Sequence, residues 1–541
     1  MKLSLDEATK GKLISIAEKI SKGTAIVSVV AYGSRVSGYS RHDSDYDIIV
    51  VLDKLRPRAK YSYGMEEGLY YSALLVDNKS FRKDCESGYL GEFVCGRLLN
   101  RFEVLTGYEY IKDCESIYKR RVVVETVQEL LEKYGPLSDQ IIFNSKYVLF
   151  NKLKKRAFLY PPVAYSYIKT YSGPPGKENT EFATSEVERQ MQLLCDEGML
   201  LRVENGYLLS SRAERLVKSY PLASSFRLAK LGVRQYVTHG LAGRVGVDVA
   251  FKELFSKIGR AKEKPEPPQE LVDPRKELSL PEGKLVFGSD WLDAFARELG
   301  ARNFKHEAEA IGEFFATTTI HKLSFDDRVI KFVSKRYQDV WSLKWMVASL
   351  VALTARTFET RPMHRLANEY KGFLHFRMLG IRTPKVYVVA PEEKVMAREH
   401  LEGDSLEDMI REKGSEYPVL NYVEKFASAL GKLHQTGMSM GDTKPNNIIC
   451  KGEDIAVIDL EQAEENGDPS WDVAEFIYYT STLVQEEDVW KLADSFVKGY
   501  LQQGDPRVLV NASNQKYLLP FQALVQPNSL TTARNRLLEL K

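Results

Sequence analysis

Residues 434–463 read HQTGMSMGDTKPNNIICKGEDIAVIDLEQA. Asp442 is followed two residues on by Lys444 and five residues on by Asn447. The pattern after them predicts a β-hairpin that delivers Asp459 at the end of the apolar strand IAVID. These residue types suit one chemistry. Moving a phosphoryl group requires an attacking hydroxyl held in line while cations neutralise the phosphate oxygens. Asp442 is the candidate to orient that hydroxyl and accept its proton, and Lys444 the candidate to reach the transferring group. Asn447 and Asp459 offer the hard oxygen ligands that Mg2+ prefers.

Two upstream segments add to this set. The strand RVIKFVSKRY (328–337) holds Lys331, and the helical segment RPMHRLANEYKGFLHFRMLGI (361–381) holds Glu369. Lys331 and Glu369 are expected to pair and clamp the α- and β-phosphates of ATP. REHLEGDSLEDMI (398–410) then reads as a hinge and its following helix, and Asp472 in WDVAEFIYY as a brace behind the catalytic loop. The order is that of a kinase catalytic machinery. Over about residues 300 to 500 the chain resembles the small atypical kinases of the RIO and Bud32 group, through IKFVSKRY, ANEYKGFLHFRMLGIRTPKVY, LEGDSL, GDTKPNN and VIDLE. The resemblance implies a protein-kinase-like fold over 284–541, with ATP and Mg2+ as cofactors. Met440 stands where that group has histidine, and Leu460 with Glu461 stand where protein kinases have Phe-Gly. WDVAEF follows Asp459 too soon for an activation loop, so a large peptide-binding lobe is not expected. No GxGxxG precedes Lys331. Only Gly312 lies between the presumed first strand and Lys331, and the phosphate cover is left open between IGEFFATTTIHKLSFDD and a helical element.

At the other end, AYGSRVSGYSRHDSDYDIIVV (31–51) supplies Gly33 and Ser34, then Asp45 and Asp47 at the start of an apolar strand. Alternate strand residues share a face, so the two carboxylates can hold a metal ion against a triphosphate that meets the Gly-Ser turn. This motif resembles the nucleotidyltransferase superfamily over about residues 20 to 110. That superfamily uses a third carboxylate on a later strand. Here the strand YYSALLVDNKS carries Ser72 at the matching position, with Asp77 at its end as a substitute. The implied fold is nucleotidyltransferase-like, and the activity is open.

Between the two lie mostly helical residues with the basic clusters Lys119, Arg120, Arg121 and Lys152, Lys154, Lys155, Arg156. SEVERQMQLLCDEGMLLRVENGYLLS (185–210) predicts a helix and a hairpin turning at Asn205 and Gly206, a combination that resembles a winged helix. The next segment carries Arg212, Arg215, Lys218, Arg227, Lys230 and Arg234. Lys154, Lys155, Arg156, Arg227 and Lys230 are the candidate RNA contacts. AKEKPEPPQELVDPRKELSLPEG (261–283), rich in proline and charge, reads as an interdomain linker.

Composition sets bounds on these readings. With 541 residues, 44% hydrophobic and 28% charged, the chain is long enough for several cores and ordered throughout. A net charge of +2 means that nucleic-acid contact must come from local patches. Five cysteines without CxxC spacing favour reduced thiols over a disulfide framework or a zinc site. MKLSLDEATKGK has no apolar leader core, and WSLKWMVASLVAL is interrupted by Lys344 and too short for a bilayer, so a soluble, cytoplasmic protein is expected.

The expected architecture is a multidomain α/β and α+β chain: a nucleotidyltransferase-like domain (1–118), a helical and winged-helix region (119–262), a linker (263–283) and a kinase-like domain (284–541). This domain order resembles an archaeal RNA kinase family whose members phosphorylate the 2′-hydroxyl of an internal tRNA uridine with ATP. The resemblance implies tRNA as partner, with no membrane and no obligate protein partner. An atypical serine/threonine protein kinase, a small-molecule phosphotransferase and an inactive tRNA-binding scaffold are the alternatives. Retention of Lys331, Asp442, Asn447 and Asp459 disfavours the scaffold.

Overall fold

The computed structural model describes residues 4–218, 230–235, 237–238, 242, 266–288, 290–301, 303–311, 318–338 and 357–539. It divides into two compact units, 1–133 with 138–279, and 134–137 with 280–541. The division expected at residue 118 falls inside one continuous helix, Tyr108–Tyr134, so the first two expected domains share a unit.

The first unit is organised by a five-stranded sheet. Helix α1 (Glu7–Ser21) starts at Asp6, whose side chain accepts the Thr9 N–H at 2.8 Å, and buries Leu13, Ile16 and Ala17 at helical spacing. The strands are β1 (Ile26–Tyr32), β2 (Tyr46–Leu52), β3 (Ala59–Glu66), β4 (Leu69–Asp77) and β5 (Phe102–Thr106), in the order β3-β4-β2-β1-β5. β2 and β4 run parallel and the other pairs antiparallel. Val29, Ala31, Ile48, Val50, Ala73 and Leu75 join α1 in one core. Residues of opposite parity, among them Tyr32, Asp47 and Ser72, therefore face away from α1.

Four further segments complete this part: α2 (Ser34–Ser37), α3 (Asn78–Ser87), α4 (Tyr108–Tyr134) and α5 (Ser145–Leu159). α6 (Ala164–Tyr171) and α7 (Gly176–Asp196) lead into the hairpin β6 (Leu200–Val203) and β7 (Gly206–Leu209). The hairpin turns on Glu204 and Asn205 and not on Asn205 and Gly206, because Val203 pairs with Gly206. Gly206 has φ 147°, and a Cβ there would lie 2.5 Å from the Phe143 carbonyl oxygen. Beyond α8 (Glu214–Lys218), the stretch read as a linker is folded from Gln269 onward. It forms α9 (Gln269–Val272) and a short turn at Pro274–Glu277, where Glu277 accepts the Asn144 amide at 2.9 Å and Ser279 pairs with Ile142. The unit boundary thus lies between Ser279 and Leu280.

The second unit begins with a six-stranded sheet: β8 (Lys284–Leu285), β9 (Lys305–Ile311), β10 (Thr318–Phe325), β11 (Arg328–Arg336), β12 (Val386–Ala390) and β13 (Val395–Glu399), in the order β8-β12-β13-β11-β10-β9. One face packs on α10 (Trp291–Glu298) through Trp291, Phe295, Leu323, Phe332 and Val388. α11 (Pro362–Met378) separates β11 from β12 in sequence and carries Glu369. A helical part follows, with α12 (Leu406–Lys413), α13 (Tyr417–Gln435), α14 (Pro469–Thr480) and α15 (Glu486–Leu501). Between α13 and α14 a loop and the hairpin β16 (Ile448–Lys451) and β17 (Asp454–Val457) hold the sequence motif, with β14 (Asp404–Ser405) paired to β16 and β15 (Met438–Ser439) paired to β18 (Glu464–Glu465). Among the described residues no helix is long and apolar enough to cross a membrane. All five cysteines are free.

Candidate active site

Lys335 of β11 is the centre of one half of the site. It is 3% exposed, and its Nζ lies 2.9 Å from Glu369 Oε2, 2.6 Å from Asp459 Oδ1 and 2.8 Å from Glu461 Oε2. Burial opposes its charge, but Asp459, Glu369 and Glu461 outweigh that and raise its pKa above the usual lysine value. Glu369 is fully buried and also accepts the Tyr337 hydroxyl at 2.6 Å. The pairing expected of Lys331 with Glu369 is therefore made by Lys335. Lys331 is exposed four residues earlier on β11, about 13 Å away along the strand. Glu461, not anticipated as part of the site, takes a two-pronged bond from Arg365 Nη2 at 2.8 and 2.7 Å. The Asn368 amide donates to its carbonyl at 3.3 Å. The carboxylates of Glu369, Asp459 and Glu461 lie within 4.8 Å of one another, and Lys335 supplies the cation among them.

Asp459 has φ 58°, a left-handed conformation that aspartate tolerates better than most residues. The turn after it lies against α11, where a Cβ on Gly372 would sit 2.8 Å from Leu460 Cβ. Leu460 at the position of the usual phenylalanine is thus fully buried beneath the helix that carries Glu369.

The residues of the Asp442 loop form the other half. Lys444 Nζ donates to Asp442 Oδ1 at 2.8 Å. Burial disfavours the Lys444 charge, but Asp442 and Glu475 outweigh it and raise its pKa. The loop hangs from the fully buried Asp472, which accepts the Met440 N–H at 2.6 Å, the Gly441 N–H at 2.8 Å and lies 3.0 Å from His434 Nε2. Met440 itself is buried, so its backbone, not its side chain, is what the loop uses. Glu475 accepts the Thr443 N–H at 2.7 Å, and burial, then the nearby Asp442 charge, pushes its carboxyl up to about 8. Asn447 donates its amide to the Asp442 carbonyl at 3.1 Å, and its own carbonyl accepts the Ile458 N–H at 2.9 Å. That backbone bond ties Asn447 to the residue before Asp459. Of the candidate phosphate cover IGEFFATTTIHKLSFDD, residues 318–325 form β10 and residues 312–317 lie outside the described residues.

At the N-terminal motif, Gly33 has φ 81°, and a Cβ there would lie 2.2 Å from Asp47 Oδ2. Ser34 opens α2, Asp45 is exposed just before β2, and Asp47 is half-buried on β2. Ser72 lies directly beside Asp47 in the parallel pairing of β2 and β4. Asp77 is committed elsewhere, accepting the Ser80 N–H at 2.9 Å as the cap of α3.

Of the candidate RNA contacts, Arg156 is overturned. It is 4% exposed, with Nη1 2.8 Å from Glu92 Oε2 and Nε donating to Tyr167 Oη at 2.9 Å. Its neighbours Arg121 and Lys152 bind Glu92 as well, at 2.8 and 2.7 Å, and Lys119 is buried against Glu115. Burial raises the Glu92 pKa, but Lys152, Arg121 and Arg156 outweigh it and hold the carboxyl below its usual range. These basic residues are a core ion cluster and not a solvated face. Lys155 pairs with Glu129, Lys154 is exposed with its Nζ donating to the Val272 carbonyl at 2.6 Å, and Lys230 is exposed. Arg227 lies outside the described residues.

No family model matches the chain. It is 31% identical over 105 residues to a "Probable bifunctional tRNA threonylcarbamoyladenosine biosynthesis protein" of Methanothermobacter thermautotrophicus, covering 19% of this chain and 17% of that protein. It is 27% identical over 154 residues to a "Probable serine/threonine-protein kinase BUD32 homolog" of Archaeoglobus fulgidus, covering 28% of this chain and 74% of that one. The chain thus spans less than a fifth of the first relative and about three quarters of the second. Among solved structures, an aminoglycoside phosphotransferase APH(4)-Ia in ternary complex with AMP-PNP and hygromycin B aligns with 47% of this chain and 98% of that chain, at 15% identity and TM-score 0.25. WaaP in complex with acyl carrier protein aligns with 46% and 96%, at 13% identity and TM-score 0.26. The kinase relative supports an ATP-dependent kinase.

Proposed function

We propose that the second unit is an ATP-dependent phosphotransferase acting on a hydroxyl group. The observation that carries this reading is the convergence of Lys335, Glu369 and Asp459 around one ammonium, with the Asp442–Lys444 pair on the adjoining loop. Lys335, oriented by Glu369, would take the ATP phosphates. Asp442 would orient the acceptor hydroxyl and receive its proton, and Lys444 would meet the transferring group. Asn447 and Asp459 would hold Mg2+. Their amide and carboxylate oxygens suit a hard cation, and the Ile458 to Asn447 bond holds them in one frame. Mg2+ when bound would neutralise phosphate charge. The N-terminal part, a nucleotidyltransferase-like sheet followed by a winged-helix-like hairpin, would serve RNA affinity.

The acceptor we propose is the 2′-hydroxyl of an internal tRNA nucleotide, a uridine by the family resemblance. The tRNA-biosynthesis relative, the exposed Lys154 and Lys230, and the absence of room in the sequence for an activation loop support this choice. An unpaired nucleotide is required, since an A-form helix keeps its hydroxyls in a shallow groove that a deep cleft cannot enclose. The kinase relative favours a second reading, a serine or threonine hydroxyl on a protein, because the same Asp442 chemistry serves either alcohol. Offering γ-labelled ATP with bulk tRNA, casein and an aminoglycoside in parallel separates these. Label on an internal tRNA nucleotide, lost when its 2′-hydroxyl is replaced by hydrogen, is expected. Label on casein alone, or on an RNA 5′ end, overturns the acceptor.

A further inference from the structure

The loop between β2 and β3 meets the start of α3 at one end of the N-terminal sheet. Asp77, the last residue of β4, joins them. One of its carboxylate oxygens accepts the Leu55 N–H at 3.4 Å, and the other accepts the Ser80 N–H at 2.9 Å and caps α3. Lys54 and Arg56 flank Leu55, and the carbonyl of Arg58 accepts the Asp77 N–H at 3.0 Å. On α3, Lys79 and Lys83 are four residues apart and share a face. Lys54, Arg56, Arg58, Lys79 and Lys83 are all exposed, and none forms an ion pair among the described residues. Asp47 stands near the other end of β2, about 17 Å from Leu52 along the strand, so this shoulder is remote from the Gly33–Asp47 motif.

Tyr89 draws two of these cations together. Its ring centroid lies 4.9 Å from the Arg58 guanidinium and 5.9 Å from Lys83 Nζ. A sixth cation borders the group. Leu231 packs on Gly88, where a Cβ would lie 2.3 Å from Leu231 Cδ2, and its neighbour Lys230 is exposed. The acids of the same segments do not balance this charge. Arg82 already holds Glu86 and Asp113, at 3.3 and 2.6 Å. Asp84 is fully buried and accepts the N–H groups of Leu90, Glu92, Val94 and Cys95 at 2.8 to 3.2 Å. Asp77 is the helix cap, which leaves Asp53 as the exposed acid of the loop. In a chain whose net charge is +2, six unpaired cations on one shoulder make a local positive field. Like charges gathered in this way repel one another in the free protein, and a polyanion relieves that repulsion.

We propose that this shoulder is an RNA-docking surface that grips the phosphate backbone through Lys54, Arg56, Arg58, Lys79, Lys83 and Lys230. A guanidinium matches phosphate oxygens in a planar fork, and an ammonium meets them as a point charge. A protein partner would need an apolar centre to bury, and a bilayer an apolar face to insert. No large apolar side chain of residues 53–58 or 78–89 is exposed, so the surface offers neither. The Tyr89 ring is engaged by Arg58 and Lys83, so the surface holds phosphates and does not read bases. The proposal rests on the reading of the substrate as RNA, and its test measures binding without ATP so that the two fail separately.

Filter binding of the full chain to bulk tRNA and to an RNA duplex of unrelated sequence is followed across a salt series. The triple variant Arg56→Gln, Lys79→Gln, Lys83→Gln should weaken both at least about tenfold and flatten the salt dependence by about two to three counterions. All three side chains are exposed, so thermal unfolding should be unchanged. Arg82→Gln, on the same helix but already paired, should stay within about twofold. This pattern supports the surface even if no label from ATP enters tRNA, an outcome that would sink only the acceptor reading. Unchanged affinity and salt slope in the triple variant, or an equal loss from Arg82→Gln, overturns the surface. A loss confined to tRNA overturns the phosphate reading, and tighter binding to phosphatidylserine vesicles or to an acidic peptide than to tRNA overturns RNA as the partner.

Discussion

Lys335 Nζ sits 2.9 Å from Glu369 Oε2 at the buried end of β11, while Lys331 stands exposed toward the other end of the same strand face. The two lysines should therefore separate in function. Lys335→Met should lower phosphoryl transfer by at least about 100-fold, the scale of losing one fixed positive contact to a transition state. Lys331→Met should stay within about twofold, as expected for a surface charge. Steady-state transfer from labelled ATP checks both, and equal losses would return the role to Lys331.

Arg365 and Glu461 are 3% and 5% exposed and face each other through two hydrogen bonds. Arg365→Ala strands the Glu461 carboxylate, with Lys335 left as its only cation at close range among the described residues. Breaking one side of such a buried pair costs about 3–5 kcal/mol, which urea unfolding of the full chain would resolve. A change below about 1 kcal/mol, the range of a surface pair, would mean that the pair is solvated in solution.

Glu475 supplies a pH signature. Its carboxyl is held up to about 8 against a reference of 4.5, by burial first and then by Asp442, with Lys444 opposing and Asp472 adding to the effect. The folded state thus keeps a proton that the unfolded chain releases. The stability this contributes is fully present below 4.5 and is lost as pH rises through about 8. Glu475→Gln should flatten the fall in unfolding free energy between about pH 5 and pH 9. An unchanged slope would show that Glu475 is ionised in the fold.

Lys154 and Arg156 should behave oppositely although they are two residues apart. Lys154→Glu should weaken tRNA binding and lower the salt dependence by about one counterion, with the melting temperature little changed. Arg156→Ala should instead destabilise the first unit by about 3–5 kcal/mol, because Glu92 loses a buried partner. Filter binding across a salt series and thermal unfolding measure the two. Loss of RNA affinity by a stable Arg156→Ala protein would restore it to the RNA surface.

The sequence by itself determined the features that a contiguous stretch carries. Asp442, Lys444, Asn447 and Asp459 sit on one loop and one hairpin, so their spacing already implies their proximity, and Asp472 followed from the helix next to them. The nucleotidyltransferase resemblance points to Ser72, but its pairing with Asp47 across two parallel strands is a property of the folded sheet, in which β3 intervenes in sequence. Tertiary structure alone decided the rest. Lys331 and Lys335 have the same strand parity, and only the position of α11 selects between them. Glu461 and Arg365 are 96 residues apart, so no local period links them. Lys152 and Arg156 lie on the buried side of α5 and Lys154 on the exposed side, but a run of like charges hides that division, and it takes the buried carboxylate of Glu92 to show which lysines and arginines are core.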